Sequence, residues 1–304
     1  MTKAKHVAVL MGGWSAEREV SLVSGRAVAK ALAARGFRVT EIDVGRDLGR
    51  KLAEVKPDVA FNALHGRWGE DGCVQGLLEI MGIPYTHSGV KASADAMDKP
   101  TAKRLFHDAG IPCARDVIVS REDFRTGDPL PRPYVVKPLN EGSSVGVRII
   151  QPGDNSLHDD ENFWSQTSRL MVETYIPGRE IQVAVMGERA LGAIEIRPKS
   201  GFYDYAAKYT AGLADHIMPA PLAPDVYRQV MDHALRAHQV LGCRGVSRSD
   251  FRYNDTGPGL LYILEINTQP GMTPLSLVPE IAGHAGIGFE DLVSWLVEDA
   301  GVER

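Results

Sequence analysis

The strongest constraint on how this chain can fold lies at its N-terminus, where residues 7–11 form a short apolar run that stops at Gly12-Gly13. Ser15 follows as a candidate helix cap. Glu17 and Glu19 fall in the first turn, where carboxylates meet the positive end of the helix dipole. Val20, Val23, Ala27 and Ala31 recur at helical spacing, and Arg35-Gly36 stops the helix. Phe37, Val39 and Ile42 then mark a second strand. A strand, a helix and a strand in that order require a crossover, and a crossover makes the sheet parallel. Residues 58–64 read as another buried strand, ending at His65-Gly66, and 72–81 as a short helix closed by Gly82. Roughly the first 90 residues therefore predict one α/β unit.

The pattern changes after Ser88-Gly89. Residues 98–109 predict a helix with Pro100 in its first turn and Gly110 past its end. Strands at 134–137 and 147–150 flank a Gly/Ser-rich loop, and a strand at 170–175 leads to Pro177-Gly178. Further strands fall at 181–186 and 190–196. Residues 198–219 show no periodicity, and a stretch of that length is expected to be a functional lid or disordered. A helix at 224–241 stops at Gly242, and a hairpin closes the pattern with strands at 246–253 and 260–266.

Composition excludes several classes. With 304 residues the chain has room for two or three domains. A net charge of −5 argues against a nucleic-acid partner, and no run of 18 apolar residues offers a membrane span. Cys73, Cys113 and Cys243 lie far apart without a CxxC, which argues against a disulfide framework or a zinc site and fits a reducing cytoplasm.

The final hairpin carries the sharpest chemical signal. If its strands pair symmetrically about Gly257-Pro258, Asp250 faces Glu265 and Arg248 faces Asn267, all on one face. Opposed carboxylates repel unless a cation lies between them. Oxygen ligands of this kind suit Mg²⁺ or Mn²⁺, while a solvated face with surface salt bridges remains the plainer alternative. A second signal is Glu141-Gly142-Ser143-Ser144-Val145-Gly146, where small residues let backbone N–H groups approach phosphate oxygens, although a flexible turn would look the same. It is not a GxxxxGK[ST] loop. Lys137 just before it and Lys99 upstream become candidate nucleotide contacts alongside it. The Gly12–Glu17 turn lacks G-x-G-x-x-G, which disfavours a dinucleotide reading. The glycine-punctuated loop from His65 to Gly72 stands at a strand's carboxyl end, where open α/β sheets bind ligands.

Eight stretches in order resemble the D-alanine–D-alanine ligase family of the ATP-grasp superfamily: GGWSAEREVSL from Gly12, HGRWGEDG from His65, SGVKASADAMDK from Ser88, VVKPLNEGSSVGV from Val135, VETYIPGREIQV from Val172, YDYAAKYTAG from Tyr203, RSDF from Arg248 and LEINTQPGMTPLSLVPEIA from Leu264. The resemblance spans the chain, with Gln182 and Pro274 as departures. It implies a Rossmann-like α/β domain at 1–93, followed by the two α+β subdomains of an ATP-grasp fold at 94–178 and 179–304. It further implies that Asp250, Glu265 and Asn267 hold two Mg²⁺ or Mn²⁺ ions, and that Lys99, Lys137 and Ser144 meet ATP phosphates. Glu173, Tyr175 and Ile176 would belong to the hinge that reads adenine, and Glu180 would hold the ribose. Glu17 would bind the first D-alanine's ammonium within a trio with Ser143 and Tyr209, and His65 would lie near that substrate. Arg248 and the Gly271 N–H would form the oxyanion site. Ser276 and Leu277 would hold the second carboxylate, and Lys208 would approach the phosphates from a mobile loop. A cytoplasmic homodimer is expected on the same basis.

Overall fold

β1 (His6–Met11) is buried along its whole length because it is the middle strand of a parallel sheet, between β2 (Arg38–Asp43) and β3 (Val59–Asn62). The structure, a computed structural model, describes residues 4–140, 142, 146–155, 157–160, 164, 168–199, 212–256 and 259–303. One face of the sheet packs on α1 (Arg18–Ala34), through Val7 and Val9 against Val28 and Leu32. The other face, through Ala8 and Leu10, packs on α2 (Leu48–Val55) and α3 (Cys73–Met81). The arrangement is the helix-covered parallel sheet that the opening pattern predicts.

α1 departs from the expectation in two details. It starts at Arg18, and Ser15 is not its cap: the Ser15 hydroxyl accepts from the Glu17 N–H at 3.2 Å, and Glu17 itself is the capping residue. The buried stripe is Val20, Ser24, Val28 and Leu32, while Val23 faces solvent. Small residues set that rotation. Gly25 passes so close to β1 that a Cβ there would stand 2.5 Å from the Met11 Cβ.

α4 (Val90–Met97) and α5 (Lys99–Asp108) follow, the latter capped by Asp98, whose carboxylate accepts from the Thr101 N–H at 3.0 Å. An antiparallel sheet of order β4-β7-β5-β6 comes next, with β4 at Asp116–Ser120, β5 at Tyr134–Pro138, β6 at Arg148–Ile150 and β7 at Arg169–Thr174. A second antiparallel sheet has the order β10-β9-β8-β11-β12. Its strands are β8 (Arg179–Met186), β9 (Arg189–Pro198), β10 (Ala214–Ile217), β11 (Val246–Asn254) and β12 (Leu260–Asn267). The helices α6 (Pro224–Val240), α7 (Leu277–His284) and α8 (Phe289–Asp299) complete the chain.

The stretch at 198–219 is not wholly irregular, because β10 pairs with β9 there; residues 200–211 lie outside the described residues. Neighbouring segments share cores. Val7, Val28 and Phe61 pack with Ile194, Ile281 and Leu296, so the last two helices close over the first sheet. Ala96 and Phe106 pack instead with Ile181 and Ile263. Burial of the valine, isoleucine, leucine and phenylalanine side chains among these contributes about 1.5–3 kcal/mol each.

The terminal hairpin is not symmetrical about its turn. Tyr253 pairs with Leu261 and Phe251 with Ile263, one residue out of the expected register. A β-bulge at Leu264 absorbs the difference, so that Asp250 faces Glu265 and Arg248 faces Asn267 as the sequence predicts. The bulge also reverses the alternation of β12. Leu261 and Ile263 point into the core, whereas Glu265 and Asn267 leave that face and Ile266 takes it up.

Candidate active site

One pocket draws on all three sheets' surroundings. It is lined by Glu17, His65, Glu70, Ala96, Met97, Lys99, Gly142, Arg248, Glu265, Ile266, Asn267, Thr268 and Gly271. Its floor is the β11–β12 hairpin. Arg248 forks onto Asp250, Nε to Oδ1 at 2.7 Å and Nη2 to Oδ2 at 3.0 Å. A guanidinium thus lies beside the opposed carboxylates of Asp250 and Glu265, the cation that such a pair requires. Asn267 Oδ1 accepts from the Gln269 N–H at 2.8 Å, which pins the turn after β12. Two carboxylates and an amide oxygen form a hard-oxygen set, suited in chemistry to Mg²⁺ or Mn²⁺.

The pocket's wall comes from the carboxyl ends of β1 and β3. Glu17 is buried at the start of α1, and a Cβ on Gly66, at φ +68°, would stand 2.5 Å from Glu17 Oε2. His65 is held on both ring nitrogens, Nδ1 to Glu70 Oε1 at 3.2 Å and Nε2 to Ser24 Oγ at 3.2 Å. Glu70 can only accept and Ser24 Oγ also accepts from the Met272 N–H at 3.2 Å. The imidazole is thus fixed between a carboxylate at Nδ1 and a hydroxyl at Nε2. Ser24 therefore ties α1, the His65 loop and the turn at Gly271 together. Asn62 and Gln269 make a parallel tie, Asn62 Nδ2 donating to Gln269 Oε1 at 3.1 Å. Ser276 caps α7 close to Gly271, and its Oγ accepts from the Thr273 N–H at 2.9 Å. The Leu277 side chain belongs to the core, so its backbone is what faces this region.

A second group of charges lies between α5 and the four-stranded sheet. Lys99 opens α5 and lines the pocket, and its N–H donates to the Leu139 carbonyl at 3.2 Å. Lys137 near the end of β5 pairs with Glu173 Oε2 at 2.5 Å. Lys103, one turn after Lys99, pairs with Glu173 Oε1 at 2.5 Å and with Asp116 at 2.8 Å. Burial alone pushes the Glu173 carboxyl up, but the two ammoniums outweigh it and hold the group below its ordinary value. Glu173 thus uses its side chain within a strand, and the link to β8 begins after Thr174. Within that link the Ile176 carbonyl accepts from Arg252 Nε at 3.2 Å, and the Tyr175 N–H donates to the Pro133 carbonyl at 3.4 Å. Glu180 follows on β8, buried, accepting from Gln182 Nε2 at 3.1 Å. Gln182 stands opposite Asp250 on the neighbouring strand, and its buried Oε1 has no hydrogen-bond partner.

Of the residues singled out in the sequence, Glu17, His65, Lys99, Arg248, Glu265, Asn267 and Gly271 line one pocket. Asp250 is clamped to Arg248, Lys137 and Glu173 are joined across the paired strands β5 and β7, and Glu180 lies apart from them on β8 of the other antiparallel sheet. Ser143, Ser144, Lys208 and Tyr209 lie outside the described residues. The sequence reading missed Ser24, Glu70, Lys103 and Gln269, and it set Gln182 apart from the chemistry, whereas that residue stands opposite Asp250. Glu70 and Gln269 carry a signal in their glycine-rich loops; Ser24 and Lys103 sit at helical positions that look ordinary.

Comparison with known proteins agrees with this geometry. A model of the D-ala D-ala ligase C-terminus matches residues 105–298, and one of the N-terminus matches residues 44–88. The D-alanine–D-alanine ligase of Parvibaculum lavamentivorans is 59% identical over the whole of both chains. That of a Chelativorans species is 57% identical over 99% of this chain and 100% of its own. Among solved structures, the D-alanine–D-alanine ligase of Bacillus anthracis superposes with a TM-score of 0.85 at 34% identity, covering 97% of each chain. The same enzyme complexed with ATP gives a TM-score of 0.82 at 29% identity, again over 97% of each chain. The fold is that of an ATP-grasp ligase. The chain belongs to the D-alanine–D-alanine ligase family.

Proposed function

We propose that this chain joins two D-alanines at the expense of ATP, forming D-alanyl-D-alanine, ADP and phosphate for cell-wall precursor synthesis. The observation that carries this reading is the single pocket that gathers a buried carboxylate, a lysine, an arginine, backbone donors and a hard-oxygen pair. A carboxylate is a poor electrophile, and its oxygen a poor leaving group. Transfer of the γ-phosphoryl group to the first D-alanine's carboxylate makes an acyl phosphate, which corrects both faults. Lys99 and Lys137 neutralise phosphate charge during that transfer, and Glu17 holds the first ammonium, with His65 beside it.

The second D-alanine, held by its carboxylate at Ser276 and the backbone start of α7, presents its deprotonated amine to the acyl carbon. Arg248 and the Gly271 N–H stabilise the oxyanion that forms, and phosphate departs as the peptide bond closes. The paired Asp250 and Glu265, with the Asn267 amide and the unpartnered buried oxygen of Gln182 nearby, suit Mg²⁺ or Mn²⁺ with a nucleotide. Such ions would neutralise the transferring phosphoryl charge. Glu180 reaches the ribose, and the backbone of Glu173, Tyr175 and Ile176 reads the adenine edge. Ser143, Ser144, Lys208 and Tyr209 would complete the phosphate and substrate contacts from residues outside those described. The three free cysteines, and the lack of a helix long and apolar enough to cross a membrane among the described residues, support a cytoplasmic setting, and a homodimer is expected.

The test is ADP release with Mg²⁺ over a panel of D- and L-amino acids and D-lactate. Turnover should require D-alanine and yield the dipeptide. No ADP with any substrate would refute the reading, and preference for another acceptor would redirect it.

A further inference from the structure

Lys103 plays no part in the chemistry above, yet its ammonium is fully engaged. Its Nζ meets Glu173 Oε1 at 2.5 Å, Asp116 Oδ1 at 2.8 Å and the Ala114 carbonyl at 2.7 Å. Three donors meet three acceptors, so Lys103 has nothing left to offer a nucleotide. Its side chain is 7% exposed and that of Glu173 is 5%. Lys137, on the other oxygen of Glu173, is the last residue but one of β5, and the chain runs on from there to Gly142 in the pocket wall.

The charges balance within the cluster. Two ammoniums face two carboxylates, with Asp116 opposite Glu173 on the adjacent strand. If Lys137 moves to a phosphate, Glu173 keeps a full partner only because Lys103 is there. Without Lys103, the same movement would leave a buried carboxylate uncompensated, and removing one partner of a buried pair is strongly unfavourable.

We propose that Lys103 is a positioning residue for nucleotide binding: it keeps Glu173 compensated, so that Lys137 is free to leave that carboxylate for the nucleotide phosphates. This rests on the ATP-ligase reading of the site. Asp116 has the opposite sense, since it draws Lys103 away from Glu173 and leaves that carboxylate more dependent on Lys137.

The groups facing Glu173 are Lys103 from α5, Asp116 from β4, Lys137 from β5 and the Cys113 thiol just before β4. Burial pushes that thiol up to about 11, so it stays neutral between pH 6 and 8. In Lys103→Met a proton on Glu173 becomes the remaining way to release Lys137.

The experiment is steady-state ADP release, with ATP and D-alanine varied separately from pH 6 to 8. Lys103→Met should raise the KM for ATP about tenfold or more and leave the KM for D-alanine within about twofold. Its kcat/KM for ATP should increase as the pH falls, a trend absent from the wild type. Lys103→Met combined with Glu173→Gln should recover most of the lost ATP affinity, because the trapping carboxylate is gone. Equal losses for both substrates, with no pH trend and no recovery in the double variant, would overturn the proposal. Should Lys103→Met fail to fold, Asp116→Asn decides, at a residue still partly exposed. It should lower the KM for ATP about twofold, and a rise would refute the assignment. A wild type with no ATP-dependent turnover would instead refute the ligase reading itself.

Discussion

Replacing Ser24 by alanine removes one hydroxyl and no packing volume of consequence, yet it should disturb both stability and substrate binding. Ser24 is fully buried on α1, and its Oγ serves two partners, accepting from the Met272 N–H and sharing a hydrogen bond with His65 Nε2, each at 3.2 Å. The alanine methyl can serve neither. Met272 is buried against the core, so its N–H would be left without a partner, which costs about 1–3 kcal/mol. His65 keeps its Glu70 contact and loses one partner at Nε2, which adds to that figure. The expected destabilisation is therefore about 2 kcal/mol, read as a lowered urea midpoint at unchanged slope. The imidazole would keep only its Glu70 contact, and the KM for the first D-alanine should rise about tenfold while the KM for ATP holds. An unchanged midpoint together with an unchanged KM would show that this hydroxyl does not tie the two loops together.

Other outcomes follow from the same geometry. Glu265→Gln should abolish ADP release at modest Mg²⁺ while circular dichroism stays native, because one of two opposed anionic oxygens is lost. Gly66→Ala, at φ +68° and with its Cβ 2.5 Å from Glu17 Oε2, should raise the KM for D-alanine more than that for ATP in steady-state assays. Deleting Leu264 removes the extra residue but leaves a regular ladder with Glu265 still opposite Asp250 and Asn267 opposite Arg248, so the variant should keep a native circular dichroism spectrum and retain ADP release; loss of both would show that the bulge itself shapes the site. Burial, with Arg244 adding to it, pulls His238 down to about 4. The unfolded chain therefore binds the extra proton first, so this contribution to stability is complete above about pH 6.5 and falls as the pH drops toward 4. Between pH 7 and pH 5 it should remove about 2 kcal/mol, measured by urea unfolding, and His238→Gln should flatten that dependence.

Much of the site is local in the sequence and was legible there. The Gly12-Gly13 turn between strand and helix, the Lys99 helix start and the Arg248/Asp250 and Glu265/Asn267 pairs depend on spacing within one or two elements. The hairpin shows the limit: symmetrical pairing gives the right partners at the site only because a bulge corrects the register on the way. Nothing in the local pattern marks Leu264 as the bulged residue. β10 was invisible for a related reason, since Ala214–Ile217 has no strand pattern of its own and is held by β9. Lys103 reads as a helix-surface charge until β4 and β7 bring Asp116 and Glu173 to it. Ser24 reads as a neutral position in an amphipathic helix until a turn more than 200 residues later supplies the Met272 N–H. Both are set by long-range packing, which periodicity does not encode.

The central claim is that the first D-alanine's carboxylate takes the phosphoryl group before the amine attacks. D-alanine carrying ¹⁸O in both carboxylate oxygens, incubated with unlabelled ATP and Mg²⁺, tests it directly. An acyl phosphate sends one labelled oxygen from the first D-alanine into each phosphate released, and the phosphate should be heavier by one ¹⁸O for every dipeptide formed. Unlabelled phosphate, formed in step with the dipeptide, would mean that water took the phosphoryl group and that the account is wrong.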